Sequence, residues 1–375
     1  MDEPDPPSTG PGGPVPRAEE PGGPVPRAEE PDGPVPRAEA PDDPVQRAEG
    51  PPASHPESAR RRRRVPLAAT EMVAVGVFCL ALALLLPLFV YPRLALQPAD
   101  PNVMQIQTSN DGTALIPDQS VPAGARVASH IPVSINTYIG QDRSHHATSG
   151  NVLWQLGTRI VAAGHLLQAR IEDVSLNKRT ARPSNCCGDS LATELDKPAG
   201  VPITHTGLIT FPFNSRKHNY TVWDVNLNHS RVAVYSGTTR RNGMLVYKYT
   251  ATNGWLPVGT RALPGLLFGL KTPSVNAIGQ YADRRTYFVE PNTGATLDVE
   301  EQLSQRYVFN NRPVTAFTGL LESPSLPAHR IHQVREATVV LPWVRGRASI
   351  VLGVLALLLF AGAALLLRRR AGRAG

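Results

Sequence analysis

The sequence predicts a membrane-anchored, mainly β protein: an antiparallel β-rich extracytoplasmic domain, barrel or sandwich with a few helices, between an N-terminal and a C-terminal transmembrane helix. Three observations predict it. Residues 72–90 and 348–367 are apolar runs of 19 and 20 residues without a charge. At about 1.5 Å per residue each crosses roughly 30 Å of hydrocarbon, where only a helix or a closed barrel keeps its backbone bonded. The roughly 250 residues between them break into short runs with period-two alternation, as in YTVWDVNL and MLVYKYT, separated by glycine, proline and asparagine.

Residues 1–59 form a Pro-rich tail. Positions 11–50 are four copies of a ten-residue unit, PGGPVPRAEE, PGGPVPRAEE, PDGPVPRAEA and PDDPVQRAEG. Almost nothing in them can be buried to offset chain entropy, so a disordered, partly polyproline-II tail is expected. Residues 60–66 are a basic juxtamembrane segment with arginines at 60–64. Lysine and arginine beside a span accumulate on the cytoplasmic side, which places the N-terminus inside and makes 67–91 an uncleaved transmembrane helix. A cleaved signal peptide fits less well, because the run exceeds an ordinary apolar core and some sixty residues precede it. Residues 92–342 are then the extracytoplasmic domain, 348–367 the second transmembrane helix and 368–375 a basic cytoplasmic tail with Arg368, Arg369 and Arg370. Arg345 and Arg347 at the outer end are outnumbered by the inner arginines. Tyr91 and Trp343 stand at the two outer interfaces, where amphipathic rings settle.

The net charge of +7 averages unlike parts: 1–59 hold 13 acids and 4 arginines, whereas 93–342 hold 17 acids and 23 bases. The strongest basic runs are juxtamembrane, which argues against nucleic acid as a partner. Of three cysteines, Cys79 lies in the first span. Cys186 and Cys187 are adjacent, and a vicinal disulfide, a bond to another chain and free thiols are all open. Neither C-x-x-C nor other metal-ligand spacing is present, so neither metal nor cofactor is expected.

Expected strands run over 133–139, 152–156, 166–174, 207–213, 220–227, 231–235, 244–250, 286–290, 295–299 and 313–320, with Glu290-Pro-Asn-Thr-Gly294 as a hairpin turn. Helical patches are expected at 260–269 and 299–306, and 331–341 is read as an outward continuation of the second span as far as Pro342. Nucleophile elbows, phosphate loops and metalloprotease helices are absent from the sequence, and the chain is read as a non-enzyme. His145-His146 and the pair His329 and His332 read as surface histidines, and Asp224 as a buried structural acid. The sequons at Asn219 and Asn228 are taken as unmodified.

A β domain tethered at both ends beside a membrane is placed to take an acyl chain into an apolar cavity. The candidate lining residues are Phe211, Phe213, Trp223, Tyr235, Tyr247 and Trp255, for which ordinary core packing is the alternative. Arg240 and Arg241, before Asn242-Gly243, are candidates for an anionic or sugar headgroup, with a solvated turn as the alternative.

Phe211-Pro212-Phe213, Tyr220 with Trp223-Asp224, and Gly243 with Val246-Tyr247-Lys248-Tyr249 resemble a family of actinobacterial two-span cell-envelope proteins, labelled a domain of unknown function or the porin PorA family. The resemblance covers roughly residues 65–370 and departs from the family pattern in the repeat tail and at Tyr249, where phenylalanine is more usual. More distantly, two terminal spans around such a domain are similar to the animal scavenger receptors of the lipid-binding class, an analogy of fold alone. The family resemblance implies binding or hand-over of envelope lipid or glycolipid, with a lipid exporter as a partner. Alternatives are a scaffold for that exporter without a ligand of its own, and a porin.

Overall fold

The computed structural model describes residues 67–193, 200–323 and 327–372; the decapeptide repeats and the arginines at 60–64 lie outside them. Two helices long and apolar enough to cross a membrane flank a β domain: α1, Leu67–Leu94, and α2, Ala328–Ala371. They pack through small residues, with Ala69, Gly76, Cys79 and Ala83 buried on one and Ala356 and Ala363 on the other. A Cβ at Gly76 would sit 2.8 Å from the Phe360 ring, so glycine sets how closely the helices approach. Each helix carries a five-residue π turn at a proline, Leu86–Val90 containing Pro87 and Trp343–Arg347 following Pro342. Proline supplies no N–H there, and the regular ladder slips. The first 20 residues of α2, 328–347, precede its apolar run as a stalk about 30 Å long.

Between the helices the described residues form twelve strands. They are β1 Val103–Pro117, β2 Ala125–Gln141, β3 Asn151–Ala162, β4 His165–Asn177, β5 Ser190–Ala192, β6 Val201–Pro202, β7 Tyr220–Asp224, β8 His229–Arg241, β9 Met244–Leu263, β10 Val275–Val289, β11 Thr296–Phe309 and β12 Arg312–Glu322. They make one antiparallel sheet in the order β6-β5-β4-β3-β2-β1-β12-β11-β10-β9-β8-β7. Three of its hairpins turn on two residues, Ala163-Gly164, Asn242-Gly243 and Asn310-Asn311, all with positive φ. That is the twist a two-residue connection needs to match its strands.

The sheet is not closed by backbone pairing. Its ends meet instead through side chains: Trp223 on β7 donates its indole N–H to Glu172 on β4 at 2.6 Å, and Arg170 on β4 donates to Asn226, just past β7, at 2.9 Å. The segment around His205–Leu208 threads this seam, pairing Leu208 with Thr221 and Trp223. Inside, Ala114, Ile135 and Ile160 from one half of the sheet pack on Tyr281, Leu303, Phe317 and Leu321 from the other.

Several sequence expectations are corrected. Residues 299–306 are not helical but the middle of β11, and 260–263 complete β9 before a single 3-10 turn at Gly265–Phe268. Residues 207–213 are a bent segment held by one bridge, Leu208 to Val222, and not a strand. Gly207 explains the bend: a side chain there would meet the backbone of Val222 and Trp223 at 2.5 Å. The Glu290–Gly294 turn forms, with Gly294 at φ +73° and the Glu290 carboxylate accepting from Asn292 and Thr293 at 3.1 and 2.8 Å. Cys186 and Cys187 are joined as a vicinal disulfide.

Candidate functional site

Beside the seam, the inner face of the sheet lines an open cavity of about 500 Å³, within the roughly 300–1,000 Å³ of small-molecule sites. Pairing of β3 with β4 and of β10 with β11 decides what faces it. Trp154, Leu156 and Thr158 lie opposite Val174, Glu172 and Arg170, and Val299 and Glu301 lie opposite Tyr287 and Arg285. The cavity therefore changes character along its length. At the stalk end Pro98, Trp154, Phe211, Leu297 and the stalk residues Val334 and Ala337 line it. The Trp154 indole donates to the Pro98 carbonyl at 2.9 Å, and Ile331 and Val334 pack on the cluster of Met244, Val246, Phe288 and Leu297. Exposed Gln333 belongs to this end.

Two to four residues further along β3 and β11, about 7–13 Å deeper, the lining turns polar and charged: Gln107, Arg170, Glu172, Arg285 and Glu301. The core packed around Tyr281 and Leu303 lies further along the same strands. Each carboxylate here has partners. Glu301 accepts from Arg285 at 2.5 Å and from Gln107 at 3.2 Å. Glu172 accepts from Trp223 and bonds the His205 ring at 2.8 Å, whose other nitrogen meets Asp189 at 2.7 Å. Burial alone would lower the His205 pKa, but the hydrogen bonds and charges of Asp189 and Glu172 outweigh it and raise it to about 9. Arg231 sits behind, bidentate on Asp283 and 2.8 Å from Asp224.

The structure distributes the sequence candidates unevenly. Phe211, Phe213 and Trp223 are on the cavity wall. Tyr235 and Tyr247 are half-buried, edge to face at 5.8 Å, in an aromatic cluster behind the wall where Phe211 stacks on Tyr249 at 4.9 Å. Trp255 is 42 % exposed, with the Arg306 guanidinium 4.0 Å over its ring. Arg240 caps its own turn by donating to the Gly243 carbonyl at 3.1 Å. Arg241 pairs with Asp298 and Glu300 at 2.9 and 2.5 Å, in a separate polar hollow shared with Lys248 and Arg284. Asp224 is fully buried and accepts from the Asn226 N–H at 2.9 Å, as expected of a structural acid.

A protein-family model described as Porin PorA matches residues 68–365. The chain belongs to the porin PorA family. No curated protein matches it. The PorA match begins within α1 and ends within α2, so both helices, the sheet and the cavity belong to the family unit, and the repeats of the tail do not. The charged half of this PorA cavity was missed in the sequence. Its signal was present: Arg170 and Glu172 alternate in phase with Val174 and Leu176, and Asp283 and Arg285 with Tyr281 and Tyr287.

Proposed function

We propose that this PorA-family protein is a plasma-membrane-anchored module that binds envelope lipid or glycolipid and hands it on in cell-envelope assembly, with no catalytic step of its own. The observation that carries the reading is the cavity whose apolar end reaches the stalk of a membrane helix. An acyl chain leaving the bilayer meets Trp154, Leu297 and Val334 first, and each methylene buried contributes about 0.8 kcal/mol. A strand-walled pore would need a closed sheet, whereas here β6 and β7 remain edges, which favours lipid binding over a channel. An envelope lipid exporter is the partner class that would supply or receive the ligand.

The test is native mass spectrometry of the full chain purified from its own host in mild detergent. A stoichiometric lipid is expected on the wild type, with Leu156→Trp, which fills the cavity, carrying less than about a tenth as much. Equal lipid on both, or none on either, counts against the proposal. For topology, the arginines at 60–64 and 368–370 support an orientation with both termini in the cytoplasm and the β domain outside. Protease added to intact spheroplasts is then expected to cut the β domain and spare an epitope in the repeats; the reverse pattern would invert the orientation.

A further inference from the structure

Arg170 is 6 % exposed and lies on the cavity lining. Its Nη1 donates to the Asn226 side chain and, at 3.3 Å, to the Val225 carbonyl, while its Nε–H is buried without a partner. Among the described residues none of its nitrogens has a carboxylate within ion-pair distance, although Glu172 is two residues away. That carboxylate bonds His205 and Trp223, both through Oε1. The second lining arginine, Arg285, holds Glu301 through Nη2, and its Nε, without a hydrogen-bond partner, lies 3.9 Å from the Asp283 carboxylate. A buried guanidinium is costly unless a counter-charge and hydrogen bonds satisfy it, and unsatisfied buried donors are rare enough to require a cause. Of the other carboxylates nearby, Asp224 pairs with Arg231, and Asp283 is held by Arg231 and approached by Arg285.

We propose that the inner end of the cavity is an anion site, in which Arg170, with Arg285 beside it, takes the carboxylate or phosphate of an acyl amphiphile whose chain runs back along Leu156 and Trp154 toward the stalk. The proposal rests on the lipid-binding reading and adds head-group chemistry and orientation to it. A guanidinium presents parallel N–H groups that match either anion, and the pairing is selective against a neutral head. It also accounts for an arginine that the fold does not pair: its counter-ion arrives with the ligand.

The experiment titrates the full chain, stripped of lipid in nonionic detergent, with palmitate, palmitoyl-lysophosphatidic acid, monopalmitoylglycerol and inorganic phosphate, following the emission of Trp154 and Trp223 on the cavity wall. Wild type is expected to bind the two anionic amphiphiles at least tenfold more tightly than the neutral glyceride. Arg170→Met is expected to erase that preference while leaving the glyceride within about twofold. It also loses the seam bonds to Asn226 and the Val225 carbonyl, so its folding is checked by a melting curve; Arg170→Lys is the second variant should it not fold. Equal affinity for all three amphiphiles in wild type overturns the anion site and leaves the lipid cavity standing. Arg170-dependent binding of inorganic phosphate with no gain from an acyl chain overturns the amphiphile assignment. Failure of every amphiphile, with Leu156→Trp indistinguishable from wild type, overturns the lipid reading itself.

Discussion

Arg231→Met is expected to lower stability by about 3–5 kcal/mol, the cost of breaking a buried ion pair from one side. Arg231 is 7 % exposed in its side chain and joins three elements: it grips Asp283 on β10 with both terminal nitrogens, approaches Asp224 on β7, and donates to Asn253 on β9 at 2.6 Å. Burial already pushes the Asp283 carboxyl above the usual carboxylate range despite Arg231. Without the guanidinium it would take up a proton, and Asp224 would keep its local N–H donors and the Tyr281 hydroxyl at 3.5 Å. For a domain of this size the loss corresponds to roughly 10 °C in melting temperature, readable by tryptophan fluorescence of the full chain in detergent. A double variant, Arg231→Met with Asp283→Leu, should recover part of the loss, because an apolar pair of similar volume replaces a stranded charge. A melting temperature within 2 °C of wild type in the single variant would show that the network is not structural.

The same charges explain what was legible in the sequence and what was not. The spans were readable because a bilayer demands an uninterrupted apolar run, and hairpins such as Asn242-Gly243 because positive φ selects few residues. Residues 299–306, VEEQLSQR, looked helical because Glu301 occupies an inward position between Val299 and Leu303 and interrupts the apolar alternation. Arg170 and Glu172 hold the same kind of inward position on β4, yet the β-branched and apolar residues around them kept 166–174 legible as a strand. On β11 the residue that helps give the cavity its polar end is also the one that breaks the strand pattern, a conflict between local rule and fold that marks functional sites. Trp223 and Trp255 could not be told apart, since both lie in β-like runs. Which of them meets a partner depends on how the ends of a twelve-stranded sheet come together, a property of pairing order that no local window contains.

Stability is expected to fall between pH 6.5 and 9 by an amount on the order of 3 kcal/mol, and His205→Gln to remove that slope. His205 is buried between Glu172 and Asp189, and the two carboxylates hold its proton so that its pKa rises from 6.5 to about 9. A group whose pKa is raised on folding stabilises fully below its unfolded pKa, and the contribution is lost as pH rises through the folded value. A shift of this size corresponds to roughly 3 kcal/mol at about 1.4 kcal/mol per unit. Asp189 titrates in the opposite sense: its carboxyl is held low, with burial opposed by hydrogen bonds from His205 and Ser175, so its contribution is present above the usual Asp range and lost in acid. The alkaline limb is therefore the signature of the imidazolium. Its loss matters for the cavity, because His205 orients the Glu172 carboxylate that accepts the Trp223 indole across the seam. Melting curves of wild type and His205→Gln from pH 6 to 9.5 separate the cases. A sloping wild type above a flat, less stable variant is the expected pair, whereas parallel curves would mean that His205 is neutral in the folded protein.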